Sequence, residues 1–344
     1  MHGHHTTAQY LLFVGPLLFC VFLFSGVSAA SAAVTVPTGF GDYISIEKNP
    51  EFPGPNEEVQ VSIGSTSVDL NSATITWSVD GVLQKKGIGI KEYTLTTKDL
   101  GSLTTVDAII APSKGAFLHQ RVILRPAGVS LIWEALSYTH PFYRGKALNA
   151  FDGRVRITAL PQFVQERGGR AAPSELVYTW KKNGTVVGDA GGYGKNVFTP
   201  NDPISFSRGE SSIEVVVTAP NDTVSARDAI TIRPFDPKVL LYENDPLLGI
   251  RYEHALSGVF TLTKDELVLA ASPYFFSSKE RAGPSLSYEW TMNGVPTKNQ
   301  IADASSVRFR QEGNPGTSII DLTIKKIDAI FQEARVSLSV AFGQ

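Results

Sequence analysis

Histidines, carboxylates and hydroxyls are the groups that could do chemistry in this chain of 344 residues, and their spacing assembles no known catalytic constellation. A zinc or hydrolytic site needs ligands at short fixed spacing, as in His-Glu-x-x-His or paired Cys-x-x-Cys. Past the first 33 residues the histidines are His119, His140 and His254, far apart, and the sole cysteine is Cys20. No Gly-x-Ser-x-Gly elbow occurs. Carboxylates such as Asp107 and Asp265-Glu266 are scattered, whereas glycoside hydrolysis needs two facing each other across a cleft. The expectation is a non-enzymatic chain with no catalytic residue, resident metal or cofactor. One group of oxygen donors qualifies it: Asp236 precedes, and Glu243, Asn244 and Asp245 follow, a repeat boundary described below, so calcium at that joint is the alternative.

Two proline-bounded loops set aromatics beside arginines. One runs from Phe163 to Arg167 between Pro161 and Pro173; the other holds Tyr274, Phe275, Phe276 and Arg281 between Pro273 and Pro284. Rings flanked by guanidinium groups suit contact with a glycan or protein, so these six are the candidate partner-binding residues. The competing expectation packs Phe163, Phe275 and Phe276 against a neighbouring domain. Tyr138, His140, Pro141, Phe142 and Tyr143 form another aromatic stretch near a boundary, where packing is again expected.

Charge narrows the partners. Lys and Arg number 31 against 33 Asp and Glu, a formal net charge of −2, and no basic block occurs. That argues against nucleic acid and against an anionic membrane surface. The first 33 residues carry no acidic residue, Lys or Arg; Tyr10 to Phe24 are almost wholly apolar, and Ala30-Ser31-Ala32 offers a small-residue cleavage site. This predicts a signal peptide over residues 1–33, or an uncleaved N-terminal anchor as the only membrane contact. Cys20 lies inside that apolar stretch, so a processed chain has no cysteine and no disulfide. Export without cysteines suits a bacterial cell envelope, cell surface or secreted setting.

The elements that would position any site follow from two repeats. Thr76-Trp77-Ser78-Val79-Asp80-Gly81, Thr179-Trp180-Lys181-Lys182-Asn183-Gly184 and Glu289-Trp290-Thr291-Met292-Asn293-Gly294 recur at intervals of about 100 residues, the size of a small β-sandwich. Each Asp-Gly or Asn-Gly pair lies between runs of period-two alternation, which predicts a type I′ hairpin with its tryptophan as a core marker. Arg125-Pro126 and Arg233-Pro234 each lie between two such runs, so the last strand of one domain passes directly into the first of the next. The expected architecture is all-β: three tandem sandwiches over 34–126, 127–234 and 235–344, stiffened by short proline joints into an elongated rod.

These motifs, with the Pro-rich start Asn49-Pro50-Glu51-Phe52-Pro53-Gly54-Pro55, resemble bacterial immunoglobulin-like (Ig-like or PKD-like) surface-protein domains, as in uncharacterised exported proteins of small-genome bacteria. The inter-sheet cysteine pair of antibody domains and the Trp-Asp-x-Gly-Asp-Gly motif of polycystic-kidney-disease-like repeats are missing. The resemblance implies a structural or adhesive module binding protein or glycan partners at the cell surface. Its alternatives are an accessory of a surface appendage such as a type IV pilus, or a targeting module for an envelope hydrolase.

Overall fold

Alternation of β-branched and polar residues gives strands with one face inward and one outward, and the computed structural model contains no α-helix among its described residues. Those residues are 44–165, 168–200, 209–220, 224–297, 301–311, 314–329 and 331–343. They belong to one compact unit, Asp42–Gln344. Residues 1–33, where a signal peptide is expected, lie outside the described residues.

The first sandwich comprises β1 (Ile44–Asn49), β2 (Glu58–Ser65), β3 (Thr74–Val79), β4 (Val82–Ile88), β5 (Glu92–Thr96), β6 (Thr104–Ala111) and β7 (Leu118–Leu124). Its sheets run β1-β2-β5 and β4-β3-β6-β7. Val59, Val61, Ile75, Trp77 and Ile110 fill the space between them. The second comprises β8 (Gly128–Ala135), β9 (Val155–Gln162), β10 (Val177–Lys182), β11 (Thr185–Val186), β12 (Gly192–Tyr193), β13 (Val197–Phe198), β14 (Ser211–Thr218) and β15 (Ser225–Ile232). Sheets β13-β9-β8 and β11-β10-β14-β15 repeat the first order, with β12 added against β10. The core holds Ile157, Tyr178, Trp180, Ile213 and Val215.

The third sandwich departs from this plan. It is built from β16 (Lys238–Asp245), β17 (Gly249–Leu256), β18 (Val259–Leu262), β19 (Glu266–Tyr274), β20 (Leu286–Met292), β21 (Val295–Pro296), β22 (Ser306–Arg310), β23 (Gly316–Lys326) and β24 (Glu333–Phe342). β17 folds back on β16 to widen one sheet, β17-β16-β19-β22, and β18 then crosses to pair in parallel with β24. Leu241, Leu269, Phe276, Trp290 and Leu322 form its core. All three domains are thus β-sandwiches in tandem, joined by residues 125–127 and 233–237.

The Trp-x-x-Asp/Asn-Gly motif does three jobs, each repeated in every sandwich. Both central turn residues have positive φ (Asp80 49°, Gly81 80°; Asn183 51°, Gly184 80°; Asn293 50°, Gly294 79°), the left-handed pair a type I′ turn requires. The Asp or Asn side chain then accepts a backbone N–H across the sheet, from Thr105, Ser212 and Ile319, at 2.8, 2.9 and 2.8 Å. Trp77 and Trp180 are wholly buried and Trp290 is 5% exposed. Their indole N–H groups donate to Ile90, Lys195 and Ala304 carbonyls at 2.8, 2.9 and 3.1 Å, so each ring fills the core without orphaning its one donor.

Candidate functional site at the second joint

Leu136 to Arg154, the connection between β8 and β9, leaves the second sandwich and packs on the third. Leu136 N–H donates to Arg154 O at 2.8 Å and closes the base of this strap. At its crossing, Tyr138 N–H donates to Phe276 O at 2.9 Å and Tyr138 O accepts from Phe275 N–H at 2.8 Å. Asn149 O accepts from Phe235 N–H at 2.8 Å. The buried Gln332 amide completes the clamp, donating to Phe151 O (2.6 Å) and Ser277 Oγ (2.8 Å) and accepting from Ser277 N–H (2.8 Å).

Aromatic rings close the remaining space. His140 stacks on Tyr252 with centroids 4.7 Å apart, and Tyr143 meets Tyr274 and Phe275 edge-on at 5.7 and 5.8 Å. Tyr242 and Tyr274 share a hydroxyl hydrogen bond of 2.7 Å. Burial pushes the Tyr274 and Tyr242 hydroxyls upward and Tyr138 up to about 12, so all three remain protonated donors. Burial lowers His140, whose Nδ1 accepts from Phe142 N–H at 3.1 Å. Nearby, Lys146 sets its ammonium 3.5 Å from the Trp133 ring centroid, and desolvation lowers its pKa.

Strap and third sandwich leave a cleft of about 830 Å³ between them. One wall is residues 135–139 with Pro141, another Arg154 at the end of the strap and Arg156 of β9 with Thr199, and the third Ser277, Ser278 and Lys279. No carboxylate lines it. Glu134 reaches Arg156 at 2.9 Å from outside. The arrangement can accept hydrogen-bonding, electron-rich ligand groups; no lining residue combines with a base to form a nucleophile pair.

The described candidate residues from the sequence, five of the six, are committed to packing or to an ion pair. Phe163 is 3% exposed in the core of the second sandwich, Tyr274 and Phe275 are each 6% exposed in the joint, and Phe276 is wholly buried in the third core. The expectation of an exposed aromatic contact is corrected: these rings anchor their loops, and Phe275 adopts φ 67° so that successive rings face joint and core. Arg281 pairs with Asp303, and its carbonyl accepts from the Tyr288 hydroxyl, so it ties a loop to the region before β22. Arg167 lies outside the described residues.

The oxygen donors considered for calcium are also differently used. Lys264 inserts its ammonium beside Glu243 (3.0 Å) and Asp245 (3.4 Å), while Asp245 Oδ1 accepts Leu247 and Leu248 N–H in the β16–β17 turn. Among the described residues no three His, Cys, Asp or Glu side chains are arranged to hold a metal ion. The cleft itself was hidden from sequence reading, because its cations belong to the start of β9, the residue before it, and a loop more than 120 residues later. The available signal was the alternation of Arg154 and Arg156 with inward Val155 and Ile157.

No protein-family model and no curated protein matches the chain. Solved structures similar to it include the three N-terminal domains of the bacteriophage RB49 Highly Immunogenic Outer Capsid protein, 12% identical over 88% of this chain and 99% of that one, TM-score 0.25. The Clostridium thermocellum CbhA fibronectin(III)-like modules are 13% identical over 55% and 94%, TM-score 0.27. Bacteroides ovatus SGBP-B, in complex with a mixed-linkage heptasaccharide, is 10% identical over 88% and 71%, TM-score 0.24. Likeness of this degree carries no argument about activity, and the sandwich assignment rests on the sheets themselves.

Proposed function

We propose that this chain is an exported, non-enzymatic protein of the cell envelope or surface, a structural and adhesive module that binds a protein or glycan partner in the cleft between its second and third sandwiches. The cleft carries the reading. It is concave, within the ~300–1,000 Å³ of ordinary ligand sites, and its walls are held by the backbone pair at Tyr138 and the Gln332 clamp. A pre-formed site loses little entropy on binding. The apolar leader over 1–33 supports export.

The test uses the full chain and an Arg154→Ala/Lys279→Ala variant, both expressed with the leader. The expected result is product outside the cytoplasm, binding to cell surfaces that drops in the double variant, and an unchanged melting temperature. Product retained in the cytoplasm would refute export. Surface binding unaffected both by the double variant and by Thr139→Trp, which fills the cleft, would refute the site.

A further inference from the structure

Of the ligands such a cleft could take, its lining selects by charge and by hydroxyl content. Arg154, Arg156 and Lys279 place three cations around it, with Glu134 offsetting one from outside, in a chain whose formal net charge is −2. Arg154 and Lys279 have no ion-pair or hydrogen-bond partner among the described residues, although Arg154's backbone is held by its carbonyl bond from Leu136 N–H. Unpaired cations beside hydroxyl-lined walls favour an anion that is itself rich in hydroxyls.

The hydroxyls add a second criterion. Ser277 Oγ already accepts from Gln332 Nε2, which leaves its proton free to donate outward. Ser137 donates to Leu148 O, which leaves its lone pairs as acceptors. Thr139 and Thr199 add groups that can do either. Alternating donors and acceptors match a sugar's hydroxyls, and guanidinium groups match a planar carboxylate or a sulfate through paired N–H bonds.

We propose, resting on the reading of the joint cleft as the binding site, that its ligand is an acidic carbohydrate, a sugar chain bearing carboxylate or sulfate groups. The acid group engages Arg154 and Lys279, and the ring hydroxyls engage Ser277, Ser137 and Thr139. Because the charged contacts lie near the surface, affinity falls as salt rises.

Four probes are titrated against the full chain: polygalacturonate for the carboxylate, dextran sulfate for the sulfate, neutral dextran, and poly-glutamate as an acidic peptide. The expected result is binding of at least one acidic polysaccharide, weakened by salt and weakened about tenfold or more in Arg154→Ala/Lys279→Ala, with neutral dextran and poly-glutamate far weaker. The two acidic arms identify which anion is preferred. Neutral dextran binding as tightly as dextran sulfate, or poly-glutamate binding as tightly as either polysaccharide, would overturn the inference. If no probe binds while the double variant still loses surface binding, the acidic-sugar inference fails and the cleft reading stands. If no probe binds and surface binding is intact, both fail.

Discussion

Gln332 is the most informative single residue to replace, because one buried amide bridges the second and third sandwiches with three hydrogen bonds. In Gln332→Ala the Phe151 carbonyl and the Ser277 N–H lose their partners, at about 1 to 3 kcal/mol for each group left unpaired. One lost methylene adds about 0.8 kcal/mol, so the whole cost is about 3 to 7 kcal/mol. Scanning calorimetry, with Trp180 and Trp290 fluorescence as separate reporters, measures where that cost falls. The parent's second and third sandwiches are expected to unfold in one transition, and Gln332→Ala to split it in two. Gln332→Glu sharpens the test: the new carboxylate still accepts from Ser277 N–H but faces the Phe151 carbonyl. Only its protonated form can donate there, so its folded pKa is raised. Its stability is then intact at low pH and lost as pH rises through that raised value. A Gln332→Ala variant that melts with the parent, or a parent whose two sandwiches already melt separately, would refute the clamp.

Two further expectations follow from the same geometry. Trp77→Ala, Trp180→Ala and Trp290→Ala should each cost about 3 to 5 kcal/mol, from cavity formation and an orphaned carbonyl, and urea denaturation should confine the Trp77→Ala loss to one sandwich; three parental melting curves would contradict the core placement. His140 has its pKa lowered from 6.5 by burial, so the unfolded chain binds its proton more readily; the stability it contributes is complete above about 6.5 and lost as pH falls below it, and a His140→Gln variant showing the parent's full pH slope across that range would count against this.

Sequence patterning carried the fold a long way because its signals are local. The tryptophan, the turn pair and the period-two strands sit within about ten residues of one another, and both positive-φ residues of a type I′ turn are specified by Asp-Gly or Asn-Gly alone. The site was less legible because its partners are distant. Phe275 and Phe276 look the same in sequence whether a loop exposes them or a strap covers them, and the covering residue Tyr138 lies more than 130 positions earlier. Glu243 and Asp245 invited calcium because the sequence does not show Lys264 returning beside them on the far side of β17 and β18. Asp245 is followed by Pro-Leu-Leu-Gly, and its carboxylate caps the turn that this segment makes.

Ser277 connects the two properties of the joint. Its N–H and hydroxyl are held by Gln332, while the same residue lines the cleft. In the proposed site, the wall that would meet a ligand is therefore the wall that locks the third sandwich to the strap. The proposed site does not rely on exposed aromatics: the rings are used inside the joint, where they hold the strap that ends at Arg154 against the sandwich that carries Lys279. A cleft between freely hinged domains would have to be ordered on binding, whereas here that ordering is already supplied by folding. In the proposed site the two tasks fall to different residues, with Arg154 and Lys279 left to a ligand and Gln332 committed to the fold, and Ser277 is where they meet.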